Sequence, residues 1–321
     1  MDSMIGLAVS NLTTPMILFF LLGLLAALTR SDLNVPEAIA KGMSLYLMLA
    51  IGFKGGAGVS EHGVDLTMVL ALIAGIVLSA SVPLIAFQLL ARTTNLSRVD
   101  AAAVAAHYGS ISIVTFLAAS QALQALALEP EGYMVAVAAI METPAIFVAL
   151  WLARGKEASL DATTLREVGL NGSIVILTGS FFIGMISGAE GLASISAFII
   201  APFKGVLCLF LLDMGLIAGR GLREGRRNFT PSLLLFGLYM PLIGGVLGLG
   251  AGFLIGLSVG GSALMATLGA SASYIAVPAA MRLALPEAKP SIYLPLSLGI
   301  TFPFNLTIGI PLYIFLARAI H

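Results

Sequence analysis

Long apolar stretches follow one another along the chain, separated by short segments that contain charged residues, proline or glycine. Most of them hold about 20 residues, the length of an α-helix that crosses the hydrocarbon core of a bilayer. The alternation of apolar and polar residues that is typical of a membrane β-barrel is absent from the sequence. The pattern predicts ten transmembrane helices, at about residues 13–30, 37–54, 66–91, 99–127, 132–153, 171–188, 195–219, 231–257, 260–284 and 291–318.

The composition agrees with this pattern. Hydrophobic residues make up 59% of the 321 residues and charged residues only 10%, whereas a soluble domain carries about 25% charged residues. We therefore expect an all-α integral membrane protein with many spans. The 16 basic residues balance the 16 acidic ones, which argues against binding to nucleic acid.

Basic residues are distributed unevenly between the predicted loops. Along the ten helices, 13 Lys and Arg residues fall on one side of the membrane, and Lys54, Lys204 and Arg318 fall on the other. Loops rich in Lys and Arg stay in the cytoplasm. We therefore expect a multi-pass protein of the cell (inner or cytoplasmic) membrane with both termini outside.

Similar motifs recur at a nearly constant spacing. Lys41-Gly42 returns as Lys204-Gly205, 163 residues later, and the segment from Gly109 to Ser112 returns as Gly269 to Ser273, at an offset near 160. A fixed offset between motifs indicates an internal repeat. The alternative is a chance likeness between two apolar sequences.

The repeat determines the expected topology. Each half would contain five helices, and because five is an odd number the second half enters the membrane from the opposite face. We therefore expect two inverted five-helix repeats, residues 1–160 and 161–321, that together form one transport domain. Inverted repeats of this kind build many secondary transporters.

Two polar segments, Tyr108–Thr115 and Leu268–Tyr274, lie inside predicted spans. A helix breaks at membrane depth only where protein or a water-filled cavity receives the freed backbone groups, and a broken end offers N–H groups and a positive dipole to an anion. We expect broken helices that meet at mid-membrane, with Gly109 and Gly269 as break points. The alternative is that small and hydroxyl residues only hold membrane helices together. The candidate substrate-binding residues are Gly109, Ser110, Ser112, Thr115, Gly269, Ser271, Ser273 and Tyr274.

A carboxylate, Glu142, lies in the middle of the fifth predicted span, two residues before Pro144. An ionisable residue at that depth is a functional hypothesis by default, and the proline frees carbonyl groups one turn earlier. Carboxylate, carbonyl and hydroxyl oxygens suit Na⁺ or a proton, whereas a helix-to-helix hydrogen bond is the structural alternative. The candidate sodium-binding residues are Glu142, Thr143, Ser112, Thr301 and Asn305.

Two further residues are candidates for either coupling or structure. Asp213 lies in mid-span and is expected to pair with Lys204 or Lys41, and His107 directly precedes the first break, where it would relay protons or form a structural hydrogen bond. The sequence has no His/Cys cluster for a metal, no ATP-binding glycine-rich loop and no nucleophile–base pair. We therefore expect that the protein is not an enzyme and that it uses no cofactor, with Na⁺ as its coupling ion.

Six stretches occur in an order that resembles the sodium-dependent bicarbonate transporter family (SbtA-like permeases). The resemblance covers nearly the whole chain. It implies ten spans with both termini outside, a substrate-carrying core and a gate, homotrimeric assembly, and ligands bound between the two breaks. The stretches are Val35–Ile39, Asp100–Thr115, Met141–Ile146, Ala270–Pro278, Pro286–Ser291 and Gly309–Tyr313.

The resemblance implies a secondary active transporter that imports bicarbonate with sodium by alternating access. In cyanobacterial members, aspartate occupies the places of Tyr274 and Glu142, and the loop that corresponds to residues 154–168 is longer. The alternatives are a symporter of another small anion such as a carboxylate, coupled to Na⁺ or H⁺, and an anion channel. Beyond the lipid bilayer and other copies of the chain, the family suggests a PII-like regulatory protein as a partner.

Overall fold

Every regular element in the described part of the chain is a helix. Eight helical segments are long and apolar enough to cross a membrane, which agrees with the expected all-α, multi-pass membrane protein. The computed structural model describes residues 13–62, 65–154, 172–225, 230–274 and 285–321, together with residues 277, 278, 280 and 281.

We number the helices in chain order. The last one, α13, contains two π-helical turns, Ser297–Thr301 and Asn305–Gly309. The helices are α1 (Pro15–Leu28), α2 (Glu37–His62), α3 (Leu66–Thr93), α4 (Arg98–Gly109), α5 (Ile113–Ala125), α6 (Met134–Met141), α7 (Pro144–Arg154), α8 (Gly172–Ser194), α9 (Ser196–Ile199), α10 (Phe203–Gly225), α11 (Pro231–Leu254), α12 (Val259–Ala270) and α13 (Pro290–Ile320).

The eight long segments coincide with the second to eighth and the tenth predicted spans, with α4 and α5 forming one span and α6 and α7 another. The two remaining predicted spans correspond to α1 and α12, which are apolar but shorter. The number of ten membrane crossings, their orientation and the division near residue 160 therefore remain predictions. Residues 155–171, which include most of the longest hydrophilic loop, lie outside the described residues.

The predicted end of the second span at Lys54-Gly55-Gly56 is wrong, because α2 continues to His62. Gly56 lies directly against the carbonyl oxygen of Phe181 in α8, where any side chain would collide. The glycines at this point permit close packing between helices and do not end the helix. Glycine in an apolar segment can therefore mark either the end of a helix or a close contact between two helices.

Two helix pairs join the halves of the chain: α2 packs along α8, and α1 packs along α10. Glycine makes the closest contacts in both pairs. Gly52 of α2 faces the Leu177 carbonyl of α8, and Gly215 of α10 faces the Phe20 carbonyl of α1. The partner helices make the same kind of contact through their own glycines. Gly184 of α8 faces the Phe53 carbonyl of α2, and Gly23 of α1 faces the Leu212 carbonyl of α10.

The broken helices lie against α3 and α11. Helix α3 packs on α4, α6 and α7, and α11 packs on α12. Gly109, the last residue of α4, lies against Pro83 and Ser79 of α3, and Gly269 lies against Gly244 of α11. Neither Gly109 nor Gly269 has a positive φ, so it is the missing side chain, and not conformational freedom, that these two positions require.

Candidate functional site

The first predicted break is confirmed: α4 ends at Gly109 and α5 begins at Ile113. Ser112 caps α5, because its Oγ accepts hydrogen bonds from the Thr115 amide at 3.2 Å and the Thr115 hydroxyl at 2.9 Å. The amides of Ile113 and Val114 have no partner in the described part of the chain. The start of α5 thus presents free N–H groups and the positive end of its dipole to the interior.

The second predicted break is also present, one residue later than expected, because α12 ends at Ala270. The segment from Ser271 to Ser273 is not helical. The hydroxyl of Ser271 donates to the Leu268 carbonyl at 2.9 Å, and the hydroxyl of Ser273 accepts from the Val277 amide at 3.4 Å. Both serines therefore help to satisfy backbone groups that the broken helix leaves open.

Hydrogen bonds join the two breaks directly. The Ser112 amide donates to Ser271 Oγ at 3.1 Å, and the Ser273 amide donates to the His107 carbonyl at 2.7 Å. Ser112 and Ser271 are 3% and 1% exposed, so these contacts lie in the interior. The two segments that the sequence singled out, 160 residues apart, do meet.

Some of the hydroxyl groups around the breaks already donate their hydrogen to the protein, and others do not. Thr115 and Ser271 donate to protein acceptors. Ser110 Oγ and the Tyr274 hydroxyl oxygen are buried and have no hydrogen-bond partner among the described residues. Tyr274 lies close to Ser112, but their hydroxyls do not have the geometry of a hydrogen bond. The Ser112 hydroxyl accepts two hydrogen bonds from Thr115 and retains its own hydrogen. A buried polar group without a partner costs about 1–3 kcal/mol, so a ligand that accepts from these hydroxyls would be stabilised.

Glu142 lies at a third interruption, between α6 and α7, and is 5% exposed. Its Oε2 has no hydrogen-bond partner in the described residues. Ser79 of α3 bridges this interruption, since its Oγ donates to the Met141 carbonyl at 2.6 Å and accepts from the Ala145 amide at 3.2 Å. Ser79 was not among the candidate residues, because a single serine in an apolar span gives no sequence signal of its own.

Ser79 also places Glu142 relative to the first break. Its carbonyl oxygen lies against Gly109, 2.8 Å from the position that a Cβ would take there. The residues before and after Glu142 and the last residue of α4 thus contact the same serine. A cation site at Glu142 remains a prediction, and Ser79 is the residue that would link it to the first break.

Thr301 and Asn305 support the breaks from α13. Thr301 Oγ1 donates to the Gly237 carbonyl at 2.8 Å, so Tyr108 must be the donor in its 2.6 Å hydrogen bond to the same oxygen. Asn305 Nδ2 donates to the Ala270 carbonyl at 2.8 Å. Both side chains lie in the π-helical turns of α13, a feature common at functional sites, and no hydrogen bond in the described part of the chain joins either of them to Glu142.

Asp213 is buried in α10, but the pairing expected for it is not found. Lys41 forms an exposed ion pair with Glu37 at 2.7 Å, and no ion pair between Asp213 and Lys204 occurs in the described ranges. Arg220, two helical turns later in α10, donates to the Leu33 carbonyl at 3.0 Å. A brace between Asp213 and either lysine is therefore not supported.

His107 is fully buried immediately before the first break. Its Nδ1 lies 2.6 Å from the Ala103 carbonyl, and because a carbonyl only accepts, Nδ1 must carry the hydrogen. Nε2 has no partner among the described residues. The ring rests on that of Tyr293, with centroids 4.6 Å apart. The histidine thus makes a structural hydrogen bond on one side and leaves a buried nitrogen on the other.

The chain matches the model of the Na⁺-dependent bicarbonate transporter superfamily over residues 15–318. It belongs to this superfamily. The match includes both breaks, Glu142 and nearly all of α13, and it confirms the family that the sequence motifs indicated. A comparison with curated proteins gives no match.

Membership in this superfamily indicates that the chain is a transporter, and the name of the superfamily includes both Na⁺ and bicarbonate. Within the described residues, no group of three or more His, Cys, Asp or Glu side chains lies together. Glu142 therefore belongs to no such group in that part of the chain, and the assignment of a sodium site to it remains a prediction.

Proposed function

We propose that this superfamily member is a secondary active transporter that imports bicarbonate together with Na⁺ by alternating access. The observation that carries the proposal is the set of unused donors where the two breaks meet, together with the buried carboxylate of Glu142, whose Oε2 has no hydrogen-bond partner among the described residues. An anion would use the donors and a cation would use the carboxylate. Each charge would compensate the other in a site that lies away from water.

The anion site uses donors from both breaks. Ser110, Ser112 and Tyr274 provide hydroxyl hydrogens, and Ile113 and Val114 provide amide hydrogens at the start of α5. Hydrogen bonds to an ionised acceptor are about twice as strong as those between neutral groups. Thr115, Ser271 and Ser273 shape the site by holding its backbone, and Gly109 and Gly269 allow α3 and α11 to approach it.

The cation site would form around Glu142. A buried ionised carboxylate without a partner costs several kcal/mol, and Na⁺ removes that cost. Oxygens of Thr143 and the carbonyl oxygen of Ser112 are the proposed neutral ligands, because the Ser112 hydroxyl already accepts two hydrogen bonds. Thr301 and Asn305 are engaged in hydrogen bonds within the protein, so we assign them a second role, the support of α13 against the breaks. Coupling follows because each ion binds better when the other is present.

The packing of the helices supports two inverted five-helix repeats, residues 1–160 and 161–321. The first helix of each half, α1 or α8, packs along the second helix of the other half. Gly52 and Gly215, which are 163 residues apart, both face a carbonyl of the partner helix, whereas nothing lies close to Gly42 or Gly205 at the same offset. Equivalent positions thus make equivalent contacts in the two halves.

The same packing supports a gate and a core. The gate would consist of the α2–α8 and α1–α10 pairs, and the core would contain α3 to α7 and α11 to α13. The α2–α8 pair contacts α6, and the α1–α10 pair contacts α13, where the rings of Phe20 and Phe302 meet at 5.2 Å. Alternating access would move the core along these two contacts.

The family resemblance alone carries several further parts of the proposal. These are homotrimeric assembly, a place in the cell inner membrane with both termini outside, and regulation by a PII-like protein. Cross-linking in native membranes would test the trimer, and cysteine labelling from either side would test the orientation. These properties do not depend on the geometry of the site.

Uptake of labelled bicarbonate into proteoliposomes, with and without an inward Na⁺ gradient, tests the proposed function. We expect saturable uptake that requires the gradient. Flux that neither saturates nor depends on sodium would indicate a channel, and the absence of any bicarbonate flux would overturn the proposal.

One observation favours a second candidate, a symporter of another small anion. Tyr274 presents an unused hydroxyl donor next to Ser112, and this donor would also suit a carboxylate. Unlabelled formate and acetate should be included as competitors in the uptake assay. Competition that is stronger than that of unlabelled bicarbonate would favour this candidate.

A further inference from the structure

The start of α12 is capped by side chains from two distant parts of the chain. Ser258 Oγ accepts from the Gly261 amide at 3.0 Å, and Glu131, in the connection between α5 and α6, accepts from the Ser258 amide at 2.7 Å. In a capping box both bonds come from one helix, the second from an acidic side chain three residues after the cap. That position is Gly261 here, and the carboxylate is supplied by Glu131.

The local backbone is adapted to this carboxylate. A Cβ at Gly261 would collide with Glu131 Oε2, and the three atoms nearest to its position all belong to the Glu131 carboxylate. A Cβ at Gly260 would lie 2.8 Å from the Leu128 carbonyl oxygen. Two successive glycines therefore allow the connection that carries Glu131 to lie directly on the start of α12.

The start of α4 shows the converse arrangement. Ser97 caps α4 by accepting from the Asp100 amide at 3.0 Å, and here the acidic residue belongs to the capped helix itself. Asp100 Oδ1 accepts from the amide of Lys289 at 2.9 Å, and Lys289 is the cap residue of α13. At α4, the carboxylate of Asp100 belongs to the helix and bonds the residue that precedes α13. At α12, the carboxylate of Glu131 belongs to the connection before α6 and bonds the residue that precedes the helix.

Both contacts join the same kinds of element. Asp100 ties the start of α4, in the first half of the chain, to the start of α13 in the second half. Glu131 lies three residues before α6 in the first half and ties that point to the start of α12 in the second half. Each broken helix is therefore fixed at its beginning to the last span of the opposite half.

We propose that Glu131 and Asp100 are positioning residues, and that their two ties hold the broken helices in the register that the ion site requires. The 12 residues of α12 span about 18 Å, and a helix transmits a displacement along its length. A shift at Ser258 therefore reaches Ser271, which accepts the hydrogen bond from Ser112. The role of the register in binding rests on the proposed function, whereas the tie itself does not.

Three variants separate the tie from ordinary capping. Glu131→Ala removes both the cap and the tie. Glu131→Ala combined with Gly261→Asp restores an acidic residue at the third position of α12, and thus the cap, but leaves the connection unattached. Glu129→Ala is the matched control, since Glu129 is an exposed carboxylate in the same connection.

Hydrogen exchange at residues 258–262, the melting temperature and the KM for bicarbonate should be measured for each variant. For Glu131→Ala we expect faster exchange, a lower melting temperature and a KM raised roughly ten- to a hundredfold, since a hydrogen bond to a charged group is lost. The double variant should recover exchange protection and melting temperature but keep the raised KM. The control should match the parent protein in all three measurements.

A double variant with the parent KM would show that capping alone matters and would overturn the proposal, as would an unchanged KM in Glu131→Ala. Should Glu131→Ala fail to fold, Glu131→Gln retains an oxygen acceptor and should give a smaller rise in KM, and no rise would again overturn the proposal. Parent protein that transports no bicarbonate would refute the proposed function instead. Hydrogen exchange would then still test the tie, and unchanged exchange in Glu131→Ala would refute it.

Discussion

The break between α4 and α5 and the break after α12 meet in the interior, but they offer a ligand different groups. At the first, Ser110 Oγ and the amides of Ile113 and Val114 have no partner among the described residues. At the second, Ser271 donates its hydroxyl hydrogen to the protein, Ser273 Oγ accepts from the Val277 amide, and the Tyr274 hydroxyl has no hydrogen-bond partner within the described ranges. Ser79 also connects the surroundings of Glu142 to the first break.

Two similar backbone arrangements can therefore have different roles in one site, one in binding the ligands and the other in supporting the first. The first break supplies most of the free donors and shares Ser79 with the backbone around Glu142, so in the proposed function it would contact both ions. The second break is held by Asn305 and supports the first through Ser271. Variants at corresponding positions of the two breaks should therefore have unequal effects.

The largest effect is expected from Glu142→Gln. Loss of the buried charge should weaken Na⁺ binding roughly a hundredfold or more, because breaking a buried charge pair costs about 3–5 kcal/mol, and uptake should no longer depend on the Na⁺ gradient. Uptake at increasing Na⁺ concentrations measures this. Glu190→Gln, at an exposed carboxylate of α8, is the control, and an unchanged Na⁺ affinity in Glu142→Gln would mean that the carboxylate is structural.

The next largest effect distinguishes the two breaks directly. Ser110→Ala removes an unused donor, so the KM for bicarbonate should rise about tenfold while the melting temperature stays the same. Ser271→Ala removes two hydrogen bonds within the protein, so it should destabilise the fold by about 1 kcal/mol and change the KM less. Thermal unfolding and uptake kinetics on both variants test this, and equal changes in KM would contradict the proposed asymmetry.

A smaller effect is expected at Tyr274. Tyr274→Phe removes a buried hydroxyl that has no partner in the described residues, so the KM should rise a few-fold, by less than the tenfold that corresponds to about 1.4 kcal/mol, without loss of stability. Tyr313→Phe is the matched comparison, since its hydroxyl donates to the Pro241 carbonyl at 3.1 Å. That variant should lower the melting temperature and leave the KM unchanged, and the reverse pattern would exclude Tyr274 from the site.

The smallest effect on transport is expected from Thr301→Val. It leaves the Tyr108 hydroxyl and the Gly237 carbonyl without their present partner, which costs about 1–3 kcal/mol of stability. The KM for Na⁺ should change less than about twofold, a difference of some 0.4 kcal/mol. A large loss of Na⁺ affinity at an unchanged melting temperature would instead show that Thr301 is a ligand.

The breaks could be predicted because the tolerance of a membrane helix for interruption is a local property. Glycine and hydroxyl residues at Gly109 and Gly269 mark the places where the backbone can leave the helix and find partners. The same local signal failed at Gly55 and Gly56, since glycine marks both helix ends and close helix contacts. Only the presence of α8 on the other side decides between them.

The supporting residues could not be predicted, because their roles depend on partners far away in sequence. Ser79 bonds backbone groups 62 and 66 residues later, and Glu131 bonds an amide 127 residues later. A serine in an apolar span and a glutamate in a hydrophilic connection are ordinary in themselves. Which hydroxyls remain free, Ser110 rather than Ser271, likewise depends on the folded geometry.

The glycines of the two helix pairs have a consequence for the forces between helices in lipid. Where Gly23, Gly56, Gly184 and Gly215 face a carbonyl oxygen, the hydrogen that replaces Cβ points at that oxygen. Each such Cα–H···O contact contributes about 0.5–1 kcal/mol. Since lipid provides no hydrophobic force to bring helices together, these weak hydrogen bonds between bare backbones would give the pairs a cohesion that needs no side chains.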